Sequence, residues 1–559
     1  MIKKVFNLFH REFGGLNQAA MILASSSLIS GFLGLLRDRL LAGTFGAGQM
    51  LDIYYASFKI PDFLYIISLS IASVTVLIPF FLERISTHQE KGQKFFDNIF
   101  SVFLLAMILL TAIAFFVIPY LSDIVAPGFS LTAKNQFVIL TRILLLSPFL
   151  LGLSNLLSSI VQSFNRFFVY ALSPLLYNIG IICGIIFLFP YLGMAGIVLG
   201  VVLGALLHVS IQIPTIIKLN FVPKFKLKLN FSEAWQVIKF SLPRTFGLGL
   251  NQIVLIFITA MASLFSVGSI AVFNLSYNIQ SVPLAVIGIS YSVAAFPTLA
   301  RLFVNNQRKK FLDQIIVAMR QIIFWSIPVS ILIIILRAQI VRVIFGYGKF
   351  GWRDTRLTTA GLALFAISLV AQALIFLFIR AFYAAGKTYK PVMVNLISSV
   401  FIIGGIFLSI NFSGVFRFLK IILEAVLRVK GVIGTDMLIL PLVFSIGTVL
   451  NAILLIFFFQ REFGVIWNFL KKTLLQVFVA SFFMGAVTYL SLNIFDKIFN
   501  FRTFIGIFFQ GFISAILGAV VWYLILSFMK NEELHDIVTV LKQKFWKTPT
   551  IAPEPEELP

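Results

Sequence analysis

The sequence predicts an all-α polytopic membrane protein: about fourteen transmembrane helices, in two six-helix lobes around a central cavity, plus two C-terminal helices. Three observations predict it. Of the 559 residues, 60% are hydrophobic and 12% charged, about half the charge of a soluble domain, and the mean hydropathy is +1.01. Apolar stretches of roughly 19 to 25 residues follow one another with short polar breaks, and at ~1.5 Å per residue each crosses a ~30 Å hydrocarbon core. The pattern also repeats with an offset of six stretches.

In lipid every backbone N–H and C=O must pair within its own segment, so each stretch is a helix. A short segment, 1–17, carries Lys3, Lys4 and Arg11 among Ile2, Val5, Phe6 and Phe9. It reads as a retained amphipathic helix on the membrane surface, since no small-residue cleavage site precedes Arg37. The first lobe, 18–217, holds stretches at 18–36, 60–82, 99–121, 138–161, 168–189 and 194–217. A cytoplasmic linker, 218–239, follows. The second lobe, 240–459, holds stretches at 240–264, 271–298, 316–336, 357–379, 391–410 and 437–459. Residues 460–529 add two more, 474–492 and 503–529, and 530–559 form a tail whose end, rich in Pro and Glu, reads as disordered.

The repeat rests on particular residues. Pro174 and Asn178 open an Ile/Gly-rich stretch in the first half, and Pro391 and Asn395 open another in the second. Upstream stand the turns Ala126-Pro-Gly-Phe129 and Phe345-Gly-Tyr-Gly-Lys-Phe350. Six stretches apart, the copies have one orientation, and two parallel lobes enclosing a cavity is a transporter architecture. Prolines within many stretches suit helices that kink.

The formal charge of +23 is best read as topology rather than nucleic-acid binding: Lys and Arg hold cytoplasmic loops in place. Most fall in loops on the cytoplasmic side if both termini lie there. The loops 337–356 and 417–430 are exceptions; in the second, charges alternate at helical spacing with Phe416, Leu419, Ile422 and Val426, predicting an interfacial helix. One cysteine, Cys183, excludes disulfides. The scattered histidines have no metal-ligand spacing, and His208 reads as hydrogen-bonded packing. No Walker A pattern is present, and the isolated outer-loop acids argue against a metal-dependent membrane glycosyltransferase.

The densest polar cluster near membrane depth comprises Arg37, Asp38, Arg39, Asp52, Lys59 and Asp62. Ions in hydrocarbon cost several kcal/mol, so such groups pair or face a wet cavity. Arg37 and Asp38 could simply end the first helix; the alternative is a cavity holding a phosphate-bearing head group, which suits the planar fork of Arg. Arg142 and Arg244 fall within stretches and either snorkel or join the cavity. Asn251, Gln252, Asn274, Asn278 and Gln280 bind sugars or join helices.

The run Gly34-Leu-Leu-Arg-Asp-Arg-Leu-Leu-Ala-Gly-Thr-Phe-Gly-Ala-Gly48, with Asp52 and Phe58-Lys-Ile-Pro61, resembles the opening motif of the MurJ (MviN-type) lipid II flippase family. Val125-Ala-Pro-Gly-Phe129, Leu242-Pro-Arg-Thr-Phe-Gly-Leu-Gly-Leu-Asn-Gln252 and Ile344-Phe-Gly-Tyr-Gly-Lys-Phe350 are similar to further motifs, over about residues 15 to 530. The resemblance implies a flippase of the multidrug/oligosaccharidyl-lipid/polysaccharide exporter superfamily. It would move undecaprenyl-pyrophosphate-linked peptidoglycan precursor from the inner to the outer leaflet of a bacterial inner membrane, for cell-wall biosynthesis. It implies no enzymatic step and no cofactor; alternating access would draw on membrane potential or a monovalent cation gradient. Its implied partners are the lipid-linked precursor, membrane lipids and cell-wall synthesis proteins.

Carried over, Arg37, Asp38 and Asp52 match polar cavity positions and Lys59 a basic one; Arg142 and Arg244 complete the expected substrate-binding set, with no metal site. The chain departs from the family's pattern at Gly31, Tyr65 and Asn278, where arginines are common, and at Leu69-Ser-Ile-Ala72. Those departures keep two readings open beside lipid II: export of another polyprenyl-linked glycan, and a non-transporting scaffold of the envelope machinery.

Overall fold

The structure, a computed structural model, describes residues 16–500 and 503–545. The expected surface helix at 1–13 and the tail from 548 onward lie outside the described residues. Among the described residues, thirteen helical stretches are long and apolar enough to span a bilayer, and Leu16–Phe45 is a further helix of 30 residues. They match one for one the fourteen apolar stretches of the sequence.

We label them α1 (Leu16–Phe45), α2 (Gln49–Ser86), α3 (Gln89–Val125), α4 (Leu131–Ser163), α5 (Phe167–Leu192), α6 (Met194–Lys218), α7 (Phe231–Ser263) and α8 (Ser269–Val304). Then come α9 (Arg308–Phe345), α10 (Trp352–Ala384), α11 (Tyr389–Asn411), α12 (Thr435–Phe463), α13 (Phe469–Phe495) and α14 (Phe504–Phe528). A shorter α15 (Glu532–Phe545) closes the described chain. α2 is broken at Phe58 and Ser73. Several helices outrun their apolar stretches because polar turns extend beyond the bilayer; α9 has 38 residues against the 316–336 run.

The packing repeats. In the first lobe α1 packs on α5, α5 on α6, α6 on α4, and α4 on α2. In the second α7 packs on α11, α11 on α12, α12 on α10, and α10 on α8. The repeated Asn serves both copies. Asn178 Nδ2 donates to Ser30 Oγ of α1 at 3.1 Å, and Asn395 Oδ1 accepts from Asn451 Nδ2 of α12 at 2.8 Å. Glycines set the closest approach: a Cβ on Gly180 would lie 2.2 Å from the Gly204 Cα, so α5 and α6 touch through backbone.

α13 and α14 pack on each other and on α9, outside the repeat. α15 latches this pair: Glu532 takes Lys472 Nζ at 2.8 Å and Arg320 Nη1 at 3.1 Å. Arg320, inside an apolar stretch by sequence, is thus held within α9 by groups at the first turns of α13 and α15.

One end of the bundle carries the turns at 46–48, 126–130, 264–268 and 346–351; we call it the upper end. Two cations of the basic upper loops, Arg353 and Arg356, and Arg39 beside them are held by backbone carbonyls. Arg353 donates to Ile433 O at 2.9 Å and to Val267 O at 3.2 Å, Arg356 donates to Arg428 O, and Arg39 to Ile344 O at 3.0 Å. Carbonyls freed at helix C-termini hold these cations. The expected helix is present as Ser413–Val426 beside them; it buries Leu423, and of its expected apolar face Ile422 and Val426 stay exposed.

His208 is packing, as read: its Nδ1 lies 2.6 Å from Ser154 Oγ, within a network that includes Gln212 and Ser158.

Candidate functional site

The seam between the lobes is closed at the upper end by short motifs far apart in sequence. Lys349 N donates to Gly43 O at 2.7 Å. Asp354 Oδ2 accepts from Ala47 N at 3.1 Å, and Ser263 Oγ accepts from Gly128 N at 3.0 Å. Two glycines make this closeness available. A Cβ on Gly128 would lie 2.0 Å from Ser263 O, and one on Gly268 2.0 Å from Ala47 O, while Gly268 also has φ +93°.

Asp52 belongs to this closure. Its carboxylate is buried and accepts from Gly268 N at 2.6 Å and Ala271 N at 2.8 Å. It caps α8 across the seam, satisfying N–H groups that Gly268 has no side chain to reach. The expected cavity role of Asp52 is corrected to that of a cap: both carboxylate oxygens are committed to backbone.

Below the closure lies a cavity of about 190 Å³ between the lobes. Arg37 and Lys59 supply its cations, Asp62, Asn274 and Asn278 its other polar groups, and Tyr54, Tyr55 and Phe58 its rings. Arg37 sits on α1, and its fork grips the next residue of the same helix: Nη2 and Nε lie 2.8 and 3.0 Å from Asp38 Oδ1. Nη1 reaches Asn178 Oδ1 at 3.4 Å. Asp38 is 1% exposed, and its second oxygen accepts from Asn278 Nδ2, on the other lobe, at 2.9 Å. Lys59, buried at the break in α2, donates to Asn274 Oδ1 at 3.3 Å. Gln252 of α7 donates to Lys59 O at 3.2 Å.

The structure therefore brings Arg37, Asp38 and Lys59 together and leaves three of the sequence candidates elsewhere. Asp52 is the cap described above. Arg142 faces away: Nε donates to Phe115 O at 3.1 Å and the guanidinium stands 4.3 Å from the Phe115 ring. That is the snorkelling alternative, a cation held by a carbonyl and a ring. Arg244 is on the seam but is not among the residues lining this cavity. Of the amides, Gln252, Asn274 and Asn278 all bridge the lobes, so they join helices at the same time as they line or border the cavity.

Sequence reasoning passed over Tyr54 and Tyr55. They follow Asp52 in α2 as a buried pair with ring centroids 5.4 Å apart. Two aromatic residues beside a break at Phe58 are the one signal that could have found them. Asn178 was noticed as a repeat marker, not as a partner of Arg37.

Chemically, the cavity holds two cations, each near a carboxylate: Arg37 with Asp38, and Lys59 with Asp62. Bare cations would be costly at this depth. An incoming phosphate can compete with Asp38 for the planar Arg37 fork, because both offer anionic oxygens that accept from its N–H groups. Asp38 is thus bonded at once to the cavity arginine and, through its second oxygen, to the other lobe.

Comparisons with known proteins agree with this architecture. A family model described as lipid II flippase MurJ matches residues 41–510. A protein of Buchnera aphidicola named probable lipid II flippase MurJ is 29% identical over 490 residues, spanning 80% of this chain and 95% of that protein. The lipid II flippase MurJ of Burkholderia cenocepacia is 24% identical over 388 residues, 68% of this chain and 75% of its own. Among solved structures, a lipid II flippase MurJ in an inward closed conformation superposes with TM-score 0.72 at 23% identity, covering 93% of this chain and all of that one. An inward-facing multidrug resistance transporter of the MATE family, in the MOP superfamily, gives TM-score 0.62 at 15% identity over 81% of this chain and 99% of its own.

Proposed function

The chain belongs to the lipid II flippase MurJ family, and from that premise we propose how it carries lipid II, the polyprenyl-pyrophosphate-linked peptidoglycan precursor, between the leaflets of a bacterial inner membrane. No covalent bond is made or broken, and the protein is a transporter rather than an enzyme. The observation that carries the mechanism is the Arg37–Asp38–Asn278 chain of hydrogen bonds spanning the two lobes inside the cavity.

With both termini cytoplasmic, the upper end faces outward. The cavity beneath the closed upper seam receives the head group from the inner leaflet. Arg37 trades its Asp38 partner for a pyrophosphate oxygen, Lys59 turns from Asn274 to a second oxygen, and the amides Asn274 and Asn278 are left to pair with sugar hydroxyls. Asp38 then releases Asn278, and the upper closure built on Asp52, Gly268 and Lys349 is the remaining barrier. Transport is a shift between two states of similar free energy, which a ligand biases by the difference in its affinity for them. Membrane potential or a monovalent cation gradient supplies the direction. Cell-wall synthesis proteins on the outer side take up the product.

Complementation tests this reading. Cells depleted of their own lipid II flippase express the chain, and lipid II on the outer leaflet is assayed. Rescue that is lost in Arg37→Ala is the expected result. A membrane-inserted chain that gives no rescue overturns lipid II as the substrate and favours another polyprenyl-linked glycan.

A further inference from the structure

Of the residues lining the cavity between the lobes, Asp62 alone is exposed. Lys59, Tyr54 and Tyr55 are buried there, and Arg37, Phe58, Asn274 and Asn278 are half-buried. Asp62 stands in the first turn of the helical segment Lys59–Ala72, just past the break in α2 at Phe58. Its carboxylate accepts no hydrogen bond and closes no ion pair among the described residues.

An acid at this place has an obvious partner that it does not use. Lys59 and Asp62 are three residues apart on one helix, a spacing at which side chains are neighbours and opposite charges pair. The ammonium of Lys59 is instead drawn across the seam, to Asn274 Oδ1 of α8 at 3.3 Å. Arg37 is no partner either, because its fork is engaged by Asp38 at 2.8 and 3.0 Å. Arg37 and Asp38 thus neutralise each other in the cavity wall. What remains is one cation, Lys59, and one anion, Asp62, presented separately to the same space.

A carboxylate near membrane depth needs a counter-charge or water. At about 1.5 Å per residue, Asp62 sits about 4.5 Å below Lys59 along the helix, away from the closed upper seam. The rings of Tyr54, Tyr55 and Phe58 line the same cavity. Ring faces beside a carboxylate are surroundings that receive an ammonium group, since the ring quadrupole and the carboxylate both attract it. The same carboxylate repels a phosphate.

We propose that Asp62, with the rings of Tyr54, Tyr55 and Phe58, is a subsite for an ammonium group of the transported head group, while Arg37 and Lys59 hold its diphosphate. This rests on the flippase reading and narrows its substrate: the lipid carries a free amine as well as a diphosphate. In lipid II such an amine belongs to the peptide portion. The amine then acts as a mark for selection. A head group without it covers Asp62 and leaves the carboxylate with no counter-charge, which penalises the wrong lipid.

The full-length protein in nanodiscs tests this with two probes: lipid II with its peptide amines free, and the same lipid with those amines acetylated. Wild type is compared with Asp62→Asn, Asp62→Glu and Arg37→Gln. Charge-assisted hydrogen bonds are the strong ones, so wild type is expected to bind the free-amine lipid about tenfold more tightly than the acetylated one. Asp62→Asn removes most of that preference, and Asp62→Glu keeps most of it. Arg37→Gln weakens both lipids alike. Equal affinity of wild type for the two lipids overturns the ammonium subsite, requires no variant to fold, and leaves the flippase reading intact. A preference that survives in Asp62→Asn overturns the assignment to Asp62. A wild type that selects the free amine through Asp62 yet flips no lipid II in proteoliposomes overturns the lipid II reading instead. Sodium that tightens binding of the acetylated lipid to wild type, but not to Asp62→Asn, would mark a metal-cation site and overturn the ammonium assignment.

Discussion

Asp38 and Asn278, 240 residues apart, join the two lobes through one hydrogen bond of 2.9 Å, while the other oxygen of Asp38 holds Arg37. The carboxylate is therefore both the counter-ion of the cavity arginine and a clasp between lobes. Asp38→Ala is expected to cost transport activity at least tenfold, because it leaves the half-buried Arg37 guanidinium without its ionic partner; a lost charged hydrogen bond is worth about 1.5–3 kcal/mol. Asn278→Leu removes the clasp, and with it one amide proposed for the sugar, but leaves the Arg37–Asp38 pair intact. Its effect should be smaller, and it should shift the population toward the separated state. Flipping assays and spin-label distances across the seam read the two effects separately. Equal losses in both variants would contradict the division of roles.

Asp52→Ala should act on stability rather than on substrate affinity. Two buried N–H groups, of Gly268 and Ala271, lose their acceptor, a cost of about 2–4 kcal/mol. Asp52→Asn keeps one acceptor oxygen and should retain roughly half. Thermal unfolding in detergent, alongside lipid binding by the surviving folded fraction, provides the check. Weakened binding with unchanged stability would return Asp52 to the cavity.

Gly268→Ala should open the upper seam. The added Cβ meets Ala47 O at 2.0 Å, and φ +93° disfavours any side chain, at about 1–2 kcal/mol for the backbone alone. Replacing Lys349 at the same seam should do less, since its bond to Gly43 is made by the backbone N–H. Labelling of a single cysteine placed at Tyr54, from the upper side, is expected to rise in Gly268→Ala and to stay low in Lys349→Ala. A Gly268→Ala protein that stays sealed would show that the seam can yield by a small shift.

Arg142→Ala should leave transport within about twofold of the parent, because its guanidinium is engaged by Phe115 on the outer face of α3 and α4; surface contacts of this kind are worth about 0.5–1 kcal/mol. Initial flipping rates in proteoliposomes measure it. A loss comparable to that of Arg37→Ala would place Arg142 on the substrate's path.

By itself the sequence determined that the chain is a bundle of membrane-spanning helices. It located every span, because a bilayer imposes one length and one polarity on any segment that crosses it. It also revealed the repeat, through Pro174, Asn178, Pro391 and Asn395, and marked Arg37, Asp38 and Lys59 as costly residues that must have partners. Which partners they have was decided only in three dimensions. Asp52 and Asp38 look alike in sequence, yet one caps α8 and the other, buried behind the cavity, holds Arg37 and Asn278. Arg142 and Arg244 both interrupt apolar stretches, yet one rests on Phe115 and the other stands in the seam. The difference is rotational: a helix commits each side chain to a direction, and only the packing of one lobe against the other determines whether that direction meets lipid, backbone or a water-filled gap.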